Sequence, residues 1–126
     1  MSTINLKVVA LFVVLGLLAG CSAADGPVAI QTHPQLAVCE AAMVRGTLVA
    51  DPTYGLGLQW PGGISGAIWP FGYSARRVSG KVVLIGPSGA VFAHEGDQIV
   101  AGGAAGPNGT AEVECQIHVN GVEVPG

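Results

Sequence analysis

Residues 81–94 read KVVLIGPSGAVFAH. Lys81 to Ile85 is a short apolar run rich in β-branched side chains, the composition of a buried strand. Gly86-Pro87-Ser88-Gly89 breaks it with residues that close a tight turn, and Ala90 to His94 returns as its partner. A hairpin in this position points to an all-β domain. Downstream, Glu95-Gly96-Asp97 turns the chain into Gln98 to Ala101, and the glycine-rich GGAAGPNG reads as a loop. From Glu112 to Val119 the positions Val113, Cys115, Ile117 and Val119 alternate with Glu114, Gln116 and His118. That period of two predicts a strand with Cys115 facing the core. Asn120-Gly121 offers one more hairpin turn into a short tail.

Upstream the pattern is similar. Val44 to Ala50 reads as a strand stopped by Asp51-Pro52, while residues 36–45 suit either a strand or a short helix. Leu56 to Trp60, the turn Pro61-Gly62-Gly63 and Ala67 to Trp69 complete the series before Pro70. Composition agrees, because 20 glycines and eight prolines in 126 residues leave little room for long helices. Inside a helix each glycine costs about 1 and each proline about 3 kcal/mol. Six to seven short strands with meander turns predict a small closed or partly open β-barrel of OB-like size over residues 36–126. The run EGDQIVAGG resembles the glycine–aspartate hairpins of small bacterial β-barrels.

The first 20 residues are of another kind. Lys7 precedes Val8 to Leu18, eleven residues without a polar side chain. That is the length of a helical signal h-region, well short of the roughly 20 residues that span a bilayer. Leu18-Ala19-Gly20-Cys21 follows directly, with small residues to enter a peptidase cleft and a thiol to accept a lipid. The quartet resembles the lipobox of bacterial lipoproteins at every position. The resemblance implies a diacylglyceryl group on Cys21, cleavage before it, and a membrane partner reached through that lipid. Two or three acyl chains make a stable anchor where one is marginal. Ser22, in place of Asp, resembles outer-membrane sorting in bacteria that have an outer membrane.

Residues 21–35, with Gly26, Pro27 and Pro34 as breakers, are expected to form a tether, and His33 to be solvated within it. With Cys21 acylated, Cys39 and Cys115 are left as an even pair in an oxidising compartment, where such pairs close. Two buried free thiols are the alternative.

Charge excludes one class of function. Loss of Lys7 with the signal turns the formal charge of −3 into −4, and the four remaining basic residues (Arg45, Arg76, Arg77 and Lys81) form no footprint for nucleic acid. The segment from Tyr54 to Arg77 holds Tyr54, Trp60, Trp69, Phe71 and Tyr73, five of the chain's seven aromatics. Trp60, Trp69, Tyr73, Arg76 and Arg77 are therefore the expected ligand contacts, with flat π-faces and planar cations suited to stacking a glycan or gripping a peptide. Filling the core is the competing role for the two tryptophans.

Catalytic groups are sparse. Ser65, Ser74, Ser79 and Ser88 lie outside any G-x-S-x-G elbow, and GGAAGPNG lacks the lysine and helix of a phosphate loop. No catalytic residue, metal or cofactor is expected. The reading is a non-enzymatic binding or assembly module of the bacterial envelope. An envelope protein, peptide or glycan is its expected partner, and its location extracytoplasmic on a lipid anchor. The alternative is a lipid-anchored hydrolase or metal-binding protein using His94, Asp97 and His118.

Overall fold

The computed structural model describes residues 24–36, 38–40 and 42–125. The expected signal segment, with its helix, and Cys21 lie outside them. The protein is all-β and built from two sheets. Among the described residues, eleven strands run in the order β1 (Gly26–Val28), β2 (Gln31–Thr32), β3 (Ala42–Asp51), β4 (Gly55–Trp60), β5 (Gly63–Trp69), β6 (Ser74–Val78), β7 (Lys81–Ile85), β8 (Val91–His94), β9 (Gln98–Ala105), β10 (Ala111–Val119) and β11 (Val122–Glu123). One 3₁₀ turn, Pro107–Gly109, interrupts them.

The larger sheet has the order β11-β10-β9-β3-β4-β5-β2, and β10 pairs in addition with β5. Pairing therefore runs from β3 through β4, β5, β10 and β9 back to β3. Only the β5–β10 join in that circuit is parallel, matching Ala111 with Ala67 and Glu112 with Ile68. β3 makes the circuit by changing partners along its length. Its first half, Ala42 to Thr47, lies on β9, and Thr47 to Asp51 lies on β4. Gly46 sits at the changeover, where a Cβ would come 2.8 Å from the Gln59 carbonyl oxygen, so only glycine lets the strands close in there. The ambiguity over residues 36–45 resolves as strand from Ala42 onward.

The second sheet, β1-β6-β7-β8, contains the hairpin predicted over residues 81–94. Leu84 faces Ala93 and Val83 faces His94, and Gly86 N donates to the Ala90 carbonyl at 3.0 Å to close the turn. One core joins the two sheets. Leu48, Leu56, Leu58, Trp69, Ile99 and Val113 come from the large sheet, Tyr73, Val82, Leu84 and Phe92 from the small one.

Two expectations are corrected, and one strand is added to those expected. Residues 26–33 are docked, not tether: β1 pairs with β6, β2 pairs in parallel with β5, and His33 N donates to the Trp69 carbonyl at 2.9 Å. His33 is half-buried, with Nε2 2.7 Å from the Val113 carbonyl oxygen. Prolines at 27 and 34 read as breakers, yet Pro27 is tolerated because β1 is an edge strand. The first half of GGAAGPNG belongs to strand β9 and only the second half turns, since a glycine pair in a strand lets neighbours approach closely. Finally, β6 (SARRV) carries too few apolar residues to read as a strand, and forms through pairing with β1 and β7.

Candidate functional site

The cysteines meet. Cys39 and Cys115 form a disulfide across 76 positions, with Cα atoms 6.0 Å apart. Gly102 of β9 makes room for it. Gly102 pairs with Met43 on one side and Cys115 on the other, and a Cβ there would stand 2.9 Å from Cys39 Sγ and 3.0 Å from Cys115 Sγ. The bridge thus lies over the bare face of Gly102, a role its place in a glycine-rich run did not reveal. Cys115 is half-exposed, not core-facing. Register shifts on both sides of it, with Gln116 at φ 49°, break the strict alternation that the sequence shows.

The aromatic segment is divided. Trp69 is fully buried and Tyr73 nearly so, its ring edge-on to Phe92 at a centroid distance of 5.1 Å. Burial pushes the Tyr73 phenol above its ordinary pKa. Both fill the core, so the expectation that they present a contact face is corrected: β5 delivers Ala67 and Trp69 inward, and Tyr73 packs beside Phe92. Arg76 is exposed and Arg77 half-buried, both on β6 in the small sheet. Of the five expected contacts, Trp60 is the one that stays at the surface of the strand circuit. It is 46% exposed at the end of β4, its ring laid over the backbone of Gly62 and its Nε1 donating to Ser65 Oγ at 3.2 Å.

Around Trp60 the structure assembles what the sequence did not show. A cleft of about 420 Å³ opens at the end of the strand circuit, walled by Met43, Val44, Leu58, Trp60, Ala104 and Ala111. Arg45, Ser65 and Thr110 bring polar groups to it. Met43 is 66% exposed. Thr110 is buried and spends its hydroxyl on the Pro107 carbonyl at 2.6 Å. The walls come from β3, β4, β5, β9 and β10. No local pattern could announce so dispersed a set.

The groups of the alternative reading are placed otherwise. His94 Nδ1 lies 3.7 Å from Asp97 Oδ2 in the β8–β9 turn, where Asp97 also accepts from His94 N at 2.8 Å and from Asn120 Nδ2 at 3.1 Å. Burial works to raise the Asp97 pKa, but these hydrogen bonds outweigh it and hold the carboxyl below its ordinary value. They make Asp97 a turn brace. His118 stands on β10 with Nδ1 3.1 Å from the Gln116 carbonyl oxygen. Among the described residues no three His, Cys, Asp or Glu side chains gather in a way that would hold a metal.

Beside the disulfide is a smaller cavity of about 210 Å³, lined by His33, Leu36, Val38, Phe71 and Glu114. His33 faces carbonyl oxygens through both ring nitrogens, Pro34 at 2.9 Å and Val113 at 2.7 Å. A neutral imidazole has one N–H and donates to only one of them.

Compared with family models, with curated proteins and with solved structures, the chain finds no match.

Proposed function

We propose that the chain is an extracytoplasmic lipoprotein whose domain binds or assembles with an envelope component, without catalysing a reaction. The five-strand circuit is read as a small closed barrel of OB-like size, and the cleft at its end as the contact site. One observation carries the reading: a cleft of about 420 Å³ with Trp60 and Met43 standing exposed in its apolar wall. Exposed tryptophan beside a polar rim is the make-up of a binding hot spot, offering large rigid area at little entropic cost. Arg45 and the Ser65 hydroxyl supply orientation for a peptide side chain or a sugar ring. Of the contacts expected from sequence, Trp60 is retained and Arg76 and Arg77 are assigned elsewhere.

Anchoring rests on Leu18-Ala19-Gly20-Cys21. The wild-type protein from the envelope should carry a diacylglyceryl adduct on Cys21 by intact mass, and Cys21→Ser should accumulate as unprocessed, unlipidated chain. A mature wild-type chain without the adduct would refute the anchor.

The cleft is tested in the anchored protein by placing a photo-crosslinking amino acid at Met43 or, as a control, at Val91 on edge strand β8. A discrete adduct from position 43 and none from 91 is expected. Trp60→Ala should reduce that adduct about tenfold or more, as loss of a central aromatic anchor does. Identical adducts from both positions, insensitive to Trp60, would sink the cleft as a site.

A further inference from the structure

After Cys21 the chain has four basic side chains, and three of them, Arg76, Arg77 and Lys81, lie on the β6–β7 hairpin. Arg76 and Lys81 are exposed. Arg77 is half-buried and donates from Nη1 to the Gly80 carbonyl at 3.3 Å. Val78 stands 42% exposed among them. Two carboxylates face the same hairpin: Asp25 Oδ1 accepts from Ser79 N at 2.9 Å, and Glu95 Oε1 accepts from Val82 N at 2.6 Å. Strand alternation sets Arg76, Val78 and Lys81 together on the outer face of the hairpin, and turns Arg77 to the other face, into the cavity it shares with Asp51. Everything else after Cys21 sets six carboxylates against Arg45. Three of the four basic side chains after Cys21 are thus gathered on one hairpin, and two of them share its exposed face.

The Ser79–Asp25 bond also fixes where the anchor must be. Asp25 follows Cys21 by four residues, so a fully extended chain carries the lipidated residue no more than about 14 Å away. β1 then holds Gly26 against Arg77 and Pro27 against Arg76. The basic tip cannot stray far from the membrane to which Cys21 is tied.

We infer that the β6–β7 tip is a docking surface for the anionic lipid headgroups of the anchoring membrane. The inference rests on the lipoprotein reading and adds an orientation to it. Each Lys or Arg brought to an anionic leaflet favours the docked state by about fivefold. The short tether keeps the tip close to the Debye length, about 8 to 10 Å, over which that attraction acts. The acidic remainder of the domain is repelled from the same surface, so the two halves of the charge distribution turn the molecule the same way. The cleft then points outward. Its Met43–Arg45 wall is the beginning of β3, whereas Arg77 shares a cavity with Ala50 and Asp51 at the strand's far end. A ten-residue strand separates such ends by at most about 30 Å, less where it bends.

Lys81 is the only lysine after Cys21, which makes it a reporter. The lipidated protein, purified from its membrane, is reconstituted in phosphatidylcholine vesicles with or without phosphatidylglycerol. Reductive methylation with formaldehyde then follows Lys81, localised by peptide mass spectrometry. Methylation should slow about fivefold or more in the anionic vesicles and recover in high salt. The R76Q/R77Q double variant should lose most of that protection while reacting at the wild-type rate in neutral vesicles, which shows its fold intact. Equal Lys81 rates in both vesicles for protein bearing the lipid would overturn the docking and leave the anchor standing. Absence of the lipid adduct by intact mass removes the anchor, and the docking with it.

Discussion

Trp69→Ala is expected to destabilise the domain by about 3 to 5 kcal/mol, the usual cost of emptying a large aromatic site in a core. Trp69 has no exposed surface and stands among the largest fully buried side chains, with Leu48, Leu56, Leu58 and Leu84. Its neighbours belong to backbone circuits on two sheets and cannot collapse into the hole without breaking pairing. A domain of this size has a total stability of about 5 to 15 kcal/mol, so the variant stands near the edge of folding. Trp69→Phe should cost distinctly less. Trp69 Nε1 is buried without a hydrogen-bond partner, and removing it relieves a penalty of about 1 to 3 kcal/mol that offsets part of the lost packing. Denaturant titration of the two variants measures both effects. Trp69→Ala within about 1 kcal/mol of wild type would contradict the burial and return Trp69 to the list of surface contacts.

The second large effect concerns the bridge. Replacing Cys39 and Cys115 together by Ala should lower stability by about 2 to 5 kcal/mol, the usual loss when a small exported domain loses a native disulfide. The loop between them is long, with 76 positions of separation, and the bridge restrains the unfolded chain accordingly. Folded geometry adds little cost to the double variant, since the sulfurs lie over Gly102 at the half-exposed rim, not in the packed centre. Thiol labelling of the denatured, unreduced protein should find neither cysteine reactive. Two free thiols there would be incompatible with the bridge. A double variant as stable as wild type would mean that strand pairing alone holds the ends of the domain together.

Local chemistry made much of the fold legible. The hairpin over residues 81–94 forms within a residue of its expected bounds, because an apolar run, a glycine–proline turn and a second apolar run satisfy their backbone groups with one another. Val44 to Ala50, Leu56 to Trp60 and Glu112 to Val119 likewise lie within observed strands, and Asn120-Gly121 closes the hairpin that pairs Val119 with Val122. The cysteine pairing was legible from an even count together with the expectation of export.

What escaped the sequence depends on partners far away along it. β6 is a strand because β1 and β7 lie beside it, although SARRV has little strand character of its own. Pro27 and its neighbours become β1 because an edge strand does not need the missing donor. Trp69 and Trp60 share a side-chain chemistry, and only the tertiary arrangement sends one into the core and the other to the rim of a cleft. The cleft itself draws residues from five strands, and Asp25 is joined to the β6–β7 turn through one bond to Ser79. Composition, turns and the cysteine count by themselves determined an all-β domain closed by a disulfide, since each acts through neighbours or through simple counting. Which side chains meet solvent, and which meet one another, was decided by strand pairing between distant segments, because burial is a property of the assembled sheets and of no residue alone.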